Sequence, residues 1–310
     1  MRLNDMTFKE MLRASLKSED TEEWLDVHFN RPIGLVFALM WAKLGVKPNT
    51  VTIISFFLGA VAGVMFYYTD FWHNLAGVFL LMFANFCDST DGQLARLTNQ
   101  KSLLGRVLDG ISADVWFVPI YACIALRLTP QVIPGTVDTH WGLMAWVLAA
   151  MAGIWGHTPN ARIADYYRQI HLFFLLGKEG SELDNYAQQY AIYESLPREK
   201  WFDRLFYKNY AGYCLLQEKS TPWFQKFFAA YNQLEDKESV RLSFLEGSRP
   251  LMKYANFITF NSRAIMLYAT ALLNCPWVYL LFEIIVLNAV HIYMHHRHEN
   301  LCKLIYMKIQ

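Results

Sequence analysis

The sequence predicts an all-α integral membrane protein with six transmembrane helices, an N-terminal interfacial helix and a helical cytoplasmic insertion. Three observations lead there. Hydrophobic residues make up 54% of the 310 and charged residues 18%, with a mean hydropathy of +0.15. Soluble proteins carry about 25% charged residues, so this chain is too apolar for most of them and too charged to lie wholly in lipid. Second, apolar runs recur near the length of about 20 residues that crosses a bilayer. Third, Lys and Arg avoid one set of loops.

Taken in order, the N-terminus MRLNDMTFKEMLRASLKSEDTEEW is charged in both signs, lacks an apolar core and does not read as a signal peptide. The run 31–46 is short and ends in Lys43, Gly45, Lys47 and Pro48, which fits a helix lying in the interface. Spans are expected at 49–68, 71–88, 103–126, 141–157, 254–273 and 276–295, the fifth carrying Arg263. The implied division is 1–48 (cytoplasmic and interfacial), 49–158 (four spans), 159–252 (insertion) and 253–310 (two spans and a tail). The insertion is too long to lack structure and should form helices broken at Pro197 and Gly212. The loops near 68–72, 127–140 and 273–276 hold one basic residue, Arg127. The positive-inside rule then puts both termini and the insertion in the cytoplasm of a cell (inner) membrane protein. Trp72, Trp141 and Trp277 stand at the outer span ends, as an aromatic belt requires.

Composition also excludes classes. Aromatic residues at 16% rule out disorder, and a net charge of +1 gives no argument for nucleic acid. Five cysteines without CxxC spacing read as isolated thiols.

The chemistry lies between the second and third spans. Asp88, Asp91, Asp109 and Asp114 fall within 27 residues. Acids at membrane depth mark function, and four this close need cations to stay ionised. An all-oxygen set suits Mg²⁺, Mn²⁺ or Ca²⁺. Asp88 and Asp91, three apart, share a helix face. Gly92 and Gly105 let a ligand approach the backbone, Ala95 keeps the same face shallow, and Arg96 offers a guanidinium fork for phosphate.

These residues carry a resemblance. The stretch from Asp88 to Asp109 is similar to the signature of the CDP-alcohol phosphotransferases, D-x2-D-G-x2-A-R-x8-G-x3-D-x3-D, and matches every position through Asp109, spacer included. GVKPNTVT at 45–52 resembles the family's entry into its first span. The resemblance implies that Asp88, Asp91 and Asp109 bind a pair of Mg²⁺ or Mn²⁺ ions gripping the CDP diphosphate. It implies that Gly92, Ala95 and Gly105 line the cytidine pocket and that Arg96 holds the nucleotide phosphates; Asn49 and Thr52 are weaker nucleotide-side candidates. The implied reaction transfers a substituted phosphate to an alcohol hydroxyl and releases CMP. The implied partners are a CDP-linked lipid or alcohol, an acceptor alcohol and membrane lipids. The family's frequent dimers make a second copy a candidate partner.

One position departs. The last aspartate belongs at 113, where this chain has Ala113, followed by Asp114. A π turn between 109 and 114 would bring Asp114 to the other acids as metal ligand or catalytic base. Elsewhere, Arg263 reads either as a phosphate clamp or as an ion pair with Glu283. Arg106 and Arg162 are weak candidates for an acceptor or lipid phosphate. His291, His295, His296 and His298 fit interfacial histidines better than a zinc site. The basic residues lean toward CDP-diacylglycerol as donor and a polyol phosphate, such as inositol phosphate or glycerol phosphate, as acceptor. The competing readings are a soluble CDP-alcohol donating to diacylglycerol or ceramide, and a cation-binding transporter.

Overall fold

The computed structural model describes residues 7–15, 18, 20–100 and 102–310; the first six residues of the N-terminal reading lie outside them. The described chain is almost entirely helical, with one isolated bridge between Val132 and His140. Two compact units emerge. One runs to Pro159 and takes in Phe260–Asn288; the other comprises Asn160–Thr259 and Ala289–Gln310.

The first unit begins with α1 (Phe8–Ser15) and α2 (Arg31–Lys43), then α3 (Pro48–Met65), α4 (Phe71–Leu97) and α5 (Leu103–Leu128). Local chemistry sets these bounds. Pro48 stands at the first turn of α3, where its missing N–H costs nothing. Asp70 caps α4 by accepting from the His73 N–H at 3.1 Å, and that bond holds its carboxyl below the usual range. Ser102 caps α5 through the Gly105 N–H at 3.0 Å. Asn99, with φ 55°, turns the chain after α4. α6 (Leu143–Met151) continues through a π-helical turn, Ala152–His157, and α14 (Trp277–Leu281) through another, Phe282–Leu287.

α3 lies close against α5 through two glycines one turn apart. A Cβ at Gly59 would fall 2.1 Å from the Trp116 ring, and one at Gly63 would fall 2.9 Å from the Ile120 nitrogen. Small residues four apart permit this approach. Around the contact, Phe66, Leu81, Phe117, Ile120, Ile124 and Tyr279 form the core. Arg127, counted above as a loop residue, is buried at the end of α5. It donates to the Phe66 carbonyl at 2.9 Å, Asn74 Oδ1 at 2.8 Å and Asn274 Oδ1 at 2.6 Å, tying three helix ends together.

Among the described residues three helices are long and apolar enough to cross a membrane: Pro48–Met65, Leu103–Leu128 and Trp277–Ile309. The run expected as one span at 254–273 is divided into α12 (Met252–Phe257) and α13 (Phe260–Leu272). The Thr259 hydroxyl turns back onto the Asn256 carbonyl at the break. Thirteen residues of α13 rise about 20 Å, short of a hydrocarbon core of about 30 Å. α2, expected in the interface, buries Gly34, Leu35 and Ala38 and leaves Val36 and Met40 exposed.

The second unit contains most of α7 (Thr158–Leu176), then α8 (Tyr186–Ser195), α9 (Trp201–Ser220), α10 (Pro222–Gln233) and α11 (Glu238–Ser248), with most of α15 (Asn288–Ile309). Pro197 falls between α8 and α9 as expected. Gly212 does not break α9, because one helical glycine costs only about 1 kcal/mol. An aromatic cluster of Phe174, Phe224, Phe227 and Phe244 is buried here.

Candidate active site

The start of α3, the second half of α4 and the start of α5 bring the signature residues together. Asp91 is buried and accepts from the Thr52 hydroxyl at 2.5 Å, so the first turn of α3 fixes one carboxylate of α4. Asp88, one turn earlier, has its Oδ1 buried with no hydrogen-bond partner. Electrostatic repulsion from Asp109 reaches both Asp88 and Asp91 across the α4–α5 turn. Three carboxylates thus share one field, and one of their oxygens, Asp88 Oδ1, has no donor from the protein. Such a group is costly unless a cation joins it.

Arg96 folds back so that a Cβ at Gly92 would lie 3.5 Å from its Nη1. Its Nε and Nη2 are buried and unpartnered. A buried guanidinium with two free donors, one helix turn from the acids, fits an anion between them. Gly105 leaves room for Asn49, since a Cβ there would stand 2.9 Å from Asn49 Oδ1. Ala95 is half-buried on α4, and Arg106 is exposed on α5.

Sequence reasoning missed the contribution of α2. The Gln93 amide donates to the Arg31 carbonyl at 3.0 Å, and a Cβ at Gly34 would meet Gln93 Oε1 at 2.6 Å and Ser89 Oγ at 3.0 Å. Arg31 is paired with Glu22 at 3.2 Å, and its charge acts on Asp88 and Arg96. The signal available was Gly34, the one glycine of α2.

The π turn and the Arg263 clamp need correction. The π turn anticipated between 109 and 114 is absent, for α5 is α-helical from 103 to 128. Five residues of regular helix turn Asp114 about 140° from Asp109. It stands exposed, and none of the other three acids contributes to its field. Arg263 is not free to clamp a phosphate: its Nε lies 3.1 Å from Glu283 Oε1 with both side chains buried, and its Nη1 lies 3.3 Å from His157 Nδ1. Arg162 belongs to the second unit, where its charge acts on Tyr213 and His291. The histidines of α15 have surroundings of their own. His291 Nδ1 meets Asn160 Oδ1 at 2.5 Å, His295 Nδ1 meets the Tyr167 hydroxyl at 2.6 Å, and His298 is fully buried.

The signature residues on α3, α4 and α5 fall within a stretch that matches a known family. The model of the CDP-alcohol phosphatidyltransferase family matches residues 46–169 of this chain. Over 68 residues the chain is 43% identical to an archaetidylinositol phosphate synthase of Pyrococcus horikoshii, a stretch that is 22% of this chain. That stretch covers 35% of the relative's length.

Proposed function

We propose that this protein is a membrane phosphotransferase of lipid head-group synthesis. It moves a substituted phosphate from CDP-diacylglycerol to the hydroxyl of a polyol phosphate and releases CMP. The observation that carries this reading is the pairing of unsatisfied groups of both signs in one place: Asp88 Oδ1 beside Asp91 and Asp109, and the free Nε and Nη2 of Arg96 one helix turn beyond. A diphosphate together with divalent cations would satisfy both. The family match supports the reaction class. The relative's name, that of a synthase of a lipid inositol phosphate, supports the acceptor class.

The donor set is all oxygen and fits Mg²⁺ or Mn²⁺, with Asp88, Asp91 and Asp109 as ligands. Such ions would neutralise charge on the leaving CMP phosphate. The chain's own residues do the rest. Thr52 holds Asp91 in one orientation, so the carboxylate need not reorganise on binding. Arg96 would take the nucleotide phosphates through its two free donors. Gly92 and Gly105 would admit cytidine, with Asn49 at the edge of that space. The reading takes the acid set to be three carboxylates, since a regular α5 holds Asp114 away from them. Both termini and the active site would face the cytoplasm, the count of spans being six in this reading.

The test is CMP release by purified protein from CDP-diacylglycerol with Mg²⁺ or Mn²⁺, offering inositol phosphate, glycerol phosphate and unphosphorylated inositol in turn. Release that requires metal and prefers a phosphorylated polyol is the expected result. Release from a soluble CDP-alcohol with diacylglycerol instead would reverse the direction of transfer.

A further inference from the structure

Away from the carboxylates, α15 brings three unlike ligand groups together. His298, Glu299 and Cys302 are all buried, and one ligand atom from each lies within 4.8 Å of the others. From this geometry we infer a binding site for one zinc-class divalent ion, built from His298, Cys302 and Glu299 within the second unit.

The distances suit the ion. His298 Nδ1 and Cys302 Sγ are 3.7 Å apart. A tetrahedral Zn²⁺ with bonds of about 2.1 Å to nitrogen and about 2.3 Å to sulfur needs an edge of about 3.6 Å between those atoms. The spacing of four residues puts imidazole and thiol on one helix face. Glu299 comes from the adjacent position and is already oriented, because its carboxylate accepts from the Trp223 N–H at 2.8 Å and the Phe224 N–H at 3.3 Å. Each carboxylate oxygen keeps a lone pair beyond the one those bonds use. The imidazole is held by Tyr167, whose ring stacks on it at 3.9 Å.

Charge balance points the same way. One thiolate, one carboxylate, a neutral imidazole and one divalent ion sum to zero, which a buried site tolerates far better than any unpaired charge. Binding would release the thiol proton to solvent. The mixed sulfur and nitrogen set selects zinc or cobalt over magnesium, so the site is chemically distinct from the all-oxygen set on α4 and α5.

The test uses the full chain in detergent, carrying Asp88→Asn and Asp91→Asn to remove the oxygen site, titrated with Co²⁺ and with Zn²⁺. The expected result is a thiolate-to-cobalt charge-transfer band that saturates near one equivalent and is displaced by Zn²⁺. Cys302→Ser should abolish the band, and Glu299→Gln, which keeps an acceptor for the α10 N–H groups, should weaken binding at least about tenfold. Circular dichroism and elution volume confirm that each variant is folded. No band in the folded parent, or a band that survives Cys302→Ser, overturns the inference.

Discussion

Replacing Arg263 separates a structural role from a substrate role. Its Nε lies 3.1 Å from Glu283 Oε1, with 2% and 0% of the two side chains exposed. The same Glu283 oxygen accepts from the Tyr279 hydroxyl at 2.9 Å and the Tyr121 hydroxyl at 3.3 Å. Arg263→Met leaves that carboxylate facing two neutral donors in an apolar core, and removing one partner of a buried pair costs about 3–5 kcal/mol. For a unit of this size that is a fall in Tm of roughly 10 °C. Glu283→Gln strands the guanidinium beside His157 and should cost a similar amount. The double variant Arg263→Met with Glu283→Gln removes both charges yet keeps an acceptor for the tyrosines. It should return to within about 2 kcal/mol of the parent, because paired buried charges contribute little net stability. The assay is thermal unfolding in one detergent, run beside CMP release. The double variant should release CMP at close to the parental rate. If Arg263→Met instead kept the parental Tm while the KM for the polyol phosphate rose sharply, the pair would not be structural and the reasoning would fail.

The remaining expectations concern the carboxylates and the topology. Asp88→Asn, Asp91→Asn and Asp109→Asn should each abolish CMP release, as should excess EDTA, while Asp114→Asn should stay within about twofold of the parent, since α5 turns it away; a large loss at 114 would mean that the helix rewinds on binding. Thr52→Val removes the donor to Asp91, a charge-assisted bond worth about 1.5–3 kcal/mol, and should raise the Mg²⁺ concentration for half-activity about 10–100-fold without loss of folding. Protease added to inside-out vesicles should cut within 177–200, and cutting only from the opposite face would overturn the assigned orientation.

Much of the site was legible because its residues lie close in sequence and obey fixed gaps. Asp88, Asp91, Gly92 and Arg96 sit on two turns of one helix, so their spacing alone places them on a common side. The partnership of Thr52 with Asp91 spans 39 positions, and only packing reveals it. The part played by α2 was hidden for the same reason, since Gly34 and Gln93 have nothing in common until two helices touch. Apolar periodicity found the runs at 49–68 and 103–126 because lipid-length helices need no partner to be recognised. At 254–273 it did not foresee the interruption, where a side-chain hydroxyl competing for backbone divides the apolar run into two helices. The departure at 113 was visible, but its consequence was not: whether a helix inserts an extra residue depends on its neighbours, and here Ala113 packs against the core and leaves the helix regular.

The two glycines of α3 set more than a close approach. With Trp116 seated against Gly59 and the backbone of Pro119 and Ile120 against Gly63, the contact of α3 with α5 has no room for even one added methyl group. One of these helices carries Thr52 and Asn49, the other Gly105 and Asp109. The spacing of the two walls of the candidate site is therefore gauged two to four turns away from the walls themselves. The third side, closed by α2, is held by different means, a small residue at Gly34 and the bond from the Gln93 amide to the Arg31 carbonyl.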